Sequence, residues 1–340
     1  MSHRTESRSA HPWVAEAKTG TRFGVLLGGA PDWAAFRQVA RTVEALGFDS
    51  LWLSDHPLLS PSSSWTTLAA LAETTQTIRL GTLVSCAFFR HPVVLARDAA
   101  EVDRISGGRV VIGLGSGDAP EEFRQMGLEC PPIRQRQRAL EEVLQIIPSL
   151  LRGETVNHAG EYFHINDARL PVPAFQQPHV PILVAGGGPS TALRFVAQYA
   201  DACNLGAASW AGGAFTAEDN RMKFDALESC CIELGREADS VLYTCLAGVF
   251  FLAETEDAAQ AKLAKLPSWV ISGVEGLPGL ERLAFAGTPD QAVIHLRRLV
   301  DAGFQYLICR VFESDPESLQ LLAKRVIPAV GTYYRTQVQV

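Results

Sequence analysis

The stretch over residues 79–117 constrains the fold most. It reads as an apolar strand (80–84), a helix opened by Pro92, a second apolar strand, and then Gly113-Leu114-Gly115-Ser116-Gly117. Strand, helix, strand and glycine loop in that order make one β-α-β unit, whose two strands must run parallel in one sheet. Pro92 suits the head of its helix, because the N–H it lacks would be unpaired there anyway. The same alternation runs along the chain on both sides. Strands are expected at 22–27, 50–53, 78–84, 110–113, 180–184, 202–205, 241–252 and 306–311, each followed by at least one helix. Eight parallel strands are the number that closes a TIM barrel, so the expected fold class is α/β, a (β/α)8 TIM barrel. Insertions are expected after strands 4 and 7: a small hairpin over 153–170 and an irregular segment over 267–287. A doubly wound open sheet would instead carry its glycine fingerprint after the first strand, with an acid about 20 residues on. Here the first strand ends in Leu26-Leu27-Gly28-Gly29 and the glycine loop follows the fourth.

A chain of 340 residues could hold two domains, but barrels of this kind run from about 200 to over 400 residues as one unit. With 47% hydrophobic and 20% charged residues and no Ser/Gly/Pro linker, one catalytic domain over 22–340 is expected. Residues 1–21 show no apolar periodicity and read as a flexible N-terminal arm. The net charge of −7 argues against a nucleic-acid or anionic-membrane partner, which needs a basic face. The apolar runs fall short of the roughly 20 residues a membrane span requires. Residues 2–18 are polar, without the apolar core of a signal peptide. Seven cysteines without CxxC spacing fit reduced thiols, hence a cytoplasmic location, and a small-molecule substrate is the expected partner.

Barrel chemistry sits at the C-terminal ends of strands. The second strand ends Ser54-Asp55-His56, where a carboxylate beside an imidazole can poise a general acid/base near neutral pH. Leu83, Val84, Ser85 and Cys86 end the third strand, an apolar surface with a hydroxyl and a thiol that suits the face of a flat ring. Gly115-Ser116-Gly117-Asp118 lets backbone amides approach a ligand. Ala185-Gly186-Gly187-Gly188-Pro189 lies between a buried strand and a helix start, where free amides and the helix dipole favour an anion such as a cofactor phosphate. No HxH, HExxH or GxSxG pattern occurs, so neither a metal site nor a serine hydrolase is expected.

Five motifs in order resemble the bacterial luciferase-like flavin and deazaflavin oxidoreductases. They are Leu51-Trp52-Leu53-Ser54-Asp55-His56, Leu80-Gly81-Thr82-Leu83-Val84, Arg104-Ile105-Ser106-Gly107-Gly108-Arg109, Gly113-Leu114-Gly115-Ser116-Gly117, and Ala185 to Pro189 followed by Tyr199-Ala200-Asp201-Ala202-Cys203-Asn204. The resemblance implies a TIM barrel and an oxidoreductase. Ser-Asp-His and Ala-Gly-Gly-Gly-Pro look more like the branch using coenzyme F420 than the luciferases, with FMN and a monooxygenase reaction as the alternative. By that similarity His56 would stand next to the hydride-transfer carbon and Asp55 would contact the deazaflavin. Leu83 and Val84 would form a non-proline cis peptide and bulge behind the ring, and Gly186, Gly187 and Gly188 would hold the phosphate. Asp118 stands where sugar-phosphate and alcohol dehydrogenase members carry a glutamate, and would assist His56. The tryptophan that those members place just after the histidine is replaced by Ser60, with Trp65 further on. The segment 267–287, with Trp269, would cover the site and select the substrate. A homodimer is implied as well. A flavin-binding carrier without turnover is the reading from another class; it accounts for the absent tryptophan but leaves His56 and Asp118 idle.

Overall fold

The computed structural model describes residues 10–28, 32–188, 191–206, 213, 216–266, 273–274, 277–278 and 283–331. The strands, in chain order, are β1 (Arg22–Leu27), β2 (Ser50–Asp55), β3 (Arg79–Cys86), β4 (Val110–Gly115), β5 (Val156–Ala159), β6 (His164–Ala168), β7 (Ile182–Ala185), β8 (Ala202–Gly206), β9 (Leu242–Leu252), β10 (Gly273–Val274), β11 (Leu277–Pro278), β12 (Ala284–Gly287) and β13 (Tyr306–Arg310). Eight of them pair in parallel in the ring order β9, β13, β1, β2, β3, β4, β7, β8, and β8 returns to β9 to close the barrel. The helices are α1 (Pro12–Ala17), α2 (Trp33–Ala45), α3 (Ser64–Thr74), α4 (Pro92–Ile105), α5 (Pro120–Gln125), α6 (Ile133–Leu151), α7 (Ala192–Tyr199), α8 (Ala217–Glu233), α9 (Glu256–Leu263), α10 (Pro289–Asp301) and α11 (Pro316–Leu321).

Period-two alternation divides the core in two. In β13, Leu307 and Cys309 pack outward among the helices, while Tyr306 and Ile308 pack inward with Leu26, Trp52, Val111, Leu183, Ala202 and Leu242. The helices bury a single stripe against that outer face. In α2 the Asp32 carboxylate accepts the Ala34 N–H at 2.9 Å as an N-cap, and Phe36, Ala40 and Val43 form the buried side.

The expected hairpin after the fourth strand is the antiparallel pair β5 and β6. The segment after the seventh is corrected in part: 284–287 is a ninth strand, parallel to β9. Its Ala-Phe-Ala-Gly sequence is too short and too weakly β-forming to stand out, and the eleven-residue β9 supplies the edge that orders it. The rest of 267–287 lies mostly outside the described residues, including Trp269 and its expected covering role.

The flexible arm is also corrected from Ala10 onward. His11 caps α1, and Trp13, Val14 and Ala17 are buried in the inward-facing cluster, with the Trp13 ring 5.8 Å from that of Tyr306. Tyr306 opens β13, so α1 plugs the N-terminal end of the barrel, away from the mouth. His11 Nε2 lies 2.9 Å from the His179 carbonyl, and His179 Nε2 lies 3.0 Å from both oxygens of Asp201. A six-residue helix shows too little periodicity to be seen in advance, and only its three buried side chains reveal it.

Candidate active site

The pairing of β3 is broken on both sides. Its register shifts against β2 between Leu53 and Asp55, and against β4 between Gly81 and Ser85. The Leu83–Val84 peptide in that interval is cis. Leu83 and Val84 are only partly buried amid a buried barrel, so the bulge leaves an apolar wall open at the mouth.

Polar bonds behind the wall hold it. The Asp55 carboxylate accepts from Ser85 Oγ at 2.6 Å and from Arg90, and Ser85 Oγ accepts from Trp65 Nε1 at 3.1 Å. Thr82 Oγ1 donates to the Gly113 carbonyl at 3.0 Å. Asp55 is 3% exposed, and its carboxylate braces β3 through these two bonds. Trp65 is buried in the same bracing, and Ser60 donates to the Ser54 carbonyl at 2.9 Å. Neither replaces a tryptophan at the mouth.

The glycines of β4 answer the bulge. A Cβ on Gly113 would lie 1.9 Å from the Thr82 carbonyl oxygen, and one on Gly115 would lie 2.7 Å from Val84 Cγ2. Gly117 has φ +84°, and a Cβ there would meet Cys86 Sγ at 2.7 Å. Cys86 is buried, and burial pushes its thiol up to about 12, so it is a neutral wall. Arg136 from α6 donates to the Gly117 carbonyl and fixes the loop from outside.

His56 follows β2 at the same rim, and its Nδ1 lies 2.8 Å from Glu122 Oε2 in α5. The Glu122 side chain is fully buried, and its other oxygen accepts the Leu58 N–H at 2.8 Å. Burial opposes charge on the imidazole, but the Glu122 hydrogen bond and the charges of Asp118, Glu122 and Asp55 outweigh it and raise the His56 pKa. Burial likewise opposes ionisation of Glu122, and its bonds from His56 and Leu58 overcome that and lower its pKa. Asp118 is exposed and acts on His56 through its charge. Glu122 is the residue that sequence reasoning missed. It stands in Pro120-Glu121-Glu122-Phe123, where two acids in a first helical turn suit the helix dipole and so advertise nothing else.

After β7, Ala185 is partly buried, Gly186 has φ +122°, and its N–H donates to the Asn204 carbonyl at 3.2 Å. A Cβ on Gly188 would meet nothing within 4 Å. Lys223 of α8 donates to the Gly187 carbonyl at 2.7 Å, placing a cation beside the turn. His56, the β3 wall, the Gly115–Ser116–Gly117 loop and the glycine turn therefore stand at the C-terminal ends of four neighbouring strands, β2, β3, β4 and β7. Among the described residues no group of three or more His, Cys, Asp or Glu side chains could hold a metal.

A closed (β/α)8 barrel that gathers a cis-peptide wall, a carboxylate-paired histidine and glycine loops on its C-terminal rim has the build of a barrel enzyme, with its chemistry at that end. The sequence pattern of the luciferase-like monooxygenase family matches residues 16–275, and the chain belongs to that family. Among relatives, it is 28% identical over 296 residues to an F420-dependent glucose-6-phosphate dehydrogenase of Amycolatopsis mediterranei (strain U-32), covering 80% of this chain and 86% of the relative. It is 28% identical over 322 residues to limonene 1,2-monooxygenase of Rhodococcus erythropolis, covering 86% and 80%. An F420-dependent secondary alcohol dehydrogenase, solved in complex with an F420-acetone adduct, shares the fold at a TM-score of 0.77 and 20% identity, covering 92% of this chain and 99% of that one. The chain is thus a luciferase-like oxidoreductase. No helix among the described residues is long and apolar enough to cross a membrane.

Proposed function

We propose that this protein transfers hydride between coenzyme F420 and a small organic substrate in the cytoplasm, as a homodimer. The observation that carries the reading is the His56–Glu122 pair at 2.8 Å, on the rim where the β3 wall opens. The residues fit such a cofactor on two counts. Leu83 and Val84 offer an apolar face to a ring, and the turn at Gly188 leaves open the space a side chain would fill, with backbone amides, the start of α7 and Lys223 to favour a phosphate. When bound, F420 supplies the two-electron hydride chemistry. The chain does the rest. Leu83, Val84, Gly115, Ser116 and Gly117 orient the ring, Cys86 backs the loop, and Asp55 keeps the wall in place. His56 moves the accompanying proton at Nε2, since its Nδ1 is engaged by Glu122. Asp118 adds a negative charge that favours the imidazolium.

The likeness to limonene 1,2-monooxygenase favours a second reading, FMN with oxygen as co-substrate. Titrating the protein separately with F420 and FMN, followed by fluorescence, decides between them. F420 binding at least about tenfold tighter, or 1.4 kcal/mol, is the expected result; preference for FMN overturns the deazaflavin assignment. His56→Ala should keep cofactor affinity and lose turnover, and unchanged turnover would remove His56 from the reaction.

A further inference from the structure

The mouth carries a cation that the reading above leaves idle. Arg310 ends β13 and follows Tyr306 and Ile308 at period two, so it continues their inward face where the barrel opens. Register sets its height: Leu26 is paired with both Arg310 and Trp52, and Leu27 with Leu53, which puts Gly28 level with Ser54. A Cβ on Gly28 would lie 3.7 Å from Arg310 Nη2. The guanidinium therefore reaches the level of Ser54, two residues before His56.

Its surroundings leave its donors open. The guanidinium carbon lies 5.6 Å from the centre of the Phe312 ring, which stacks on Phe251. Among the described residues no side-chain or backbone acceptor takes a hydrogen bond from Arg310, and no carboxylate stands within 4.0 Å of it. Glu313 bears on Arg310 through its charge, and one of its oxygens accepts the Gly28 N–H. A guanidinium presents five N–H donors in a planar fork, and Arg310 is only partly buried, so part of that fork is accessible to a ligand. An acceptor supplied by a ligand completes this arrangement.

Strand order says which ligand. The phosphate turn follows β7 and the ring wall lies in β3, whereas β13 sits between β9 and β1, three strands from β7 by the shorter path. A cofactor held by those two elements would take one side of the mouth and leave Arg310 on the other. The fork matches a carboxylate bidentately, and the Glu313 charge beside it disfavours a dianion such as phosphate. We infer that Arg310, with Phe312 alongside, binds the carboxylate of an organic acid substrate and points its far end toward His56.

This inference rests on the mouth being the reaction site, but its test needs neither cofactor nor turnover. Isothermal titration of the full chain with hexanoate, hexanamide and inorganic phosphate reads the anchor directly. Hexanoate should bind at least about tenfold tighter than hexanamide and tighter than phosphate; Arg310→Met should erase the difference and Arg310→Lys keep part of it. Equal binding of acid and amide, tighter binding of phosphate, no hexanoate heat at millimolar concentration, or a preference that survives in Arg310→Met each overturns the inference. The comparison of acid with amide in the unmutated protein stands even if a variant does not fold. F420 and FMN affinities measured on the same samples separate the two ideas: lost carboxylate preference with intact cofactor binding sinks Arg310 alone, and absent cofactor binding sinks the functional reading alone.

Discussion

Trp13→Ala tests the barrel plug, and its size follows from the structure. Trp13 is 1% exposed, and a buried aromatic side chain removes about 150–250 Å² from water. At about 25 cal/mol per Å² this is worth about 4–6 kcal/mol, close to the roughly 3–5 kcal/mol found for large aromatic truncations. One term opposes the loss. Trp13 Nε1 is buried without a partner, and removing an unsatisfied donor returns about 1–3 kcal/mol. The net loss is about 2–4 kcal/mol. For 340 residues the unfolding entropy is about 0.7 kcal/mol/K, so Tm should fall by about 3–6 °C in scanning calorimetry. Trp13→Phe keeps most of the ring and deletes the orphan donor, and should shift Tm by less than about 2 °C. A Trp13→Ala protein melting within about 1 °C of the parent would refute the docking of α1 in the barrel.

Glu122→Gln removes the charge that lifts His56 and should lower the pH at which its imidazole titrates by NMR; no change would detach the pair. The raised His56 pKa contributes stability fully present below the unfolded value of about 6.5 and lost as pH rises through the folded value. Urea midpoints of parent and Glu122→Gln should therefore differ more on the acid side of that window than above it. Gly113→Ala drives a Cβ into the Thr82 carbonyl and should cost at least about 1–3 kcal/mol in urea unfolding. Gly188→Ala meets open space, so its stability should stay within about 0.5 kcal/mol while F420 affinity falls at least about tenfold; unchanged affinity would move the phosphate elsewhere.

The barrel was legible because most of its strands are short apolar runs closed by a glycine or polar residue, and helices such as α2, α6 and α10 each carry one apolar stripe. His56 and the glycine turn were legible because they follow strands directly. The cis bond at Leu83–Val84 came from family resemblance, since nothing in an apolar strand specifies it. Glu122 was not legible: only folding brings α5 under the loop after β2, and an acid in a first helical turn has an ordinary explanation. Asp55 was legible as a site residue, but its direction was not, because the β3 bulge decides which way its carboxylate turns. Arg310 did leave a trace, its parity with Tyr306 and Ile308, yet whether that face opens or closes depends on the whole ring.

The His11–His179 contact and the Trp13–Tyr306 packing join the start of the chain to its middle and its last strand. Neither can form in a half-barrel. A fragment ending after β4 would present a greasy floor with no Tyr306 to complete it, so acquisition of native structure must wait for nearly the full length of polypeptide, and splitting this enzyme into complementing halves would expose that floor in both pieces.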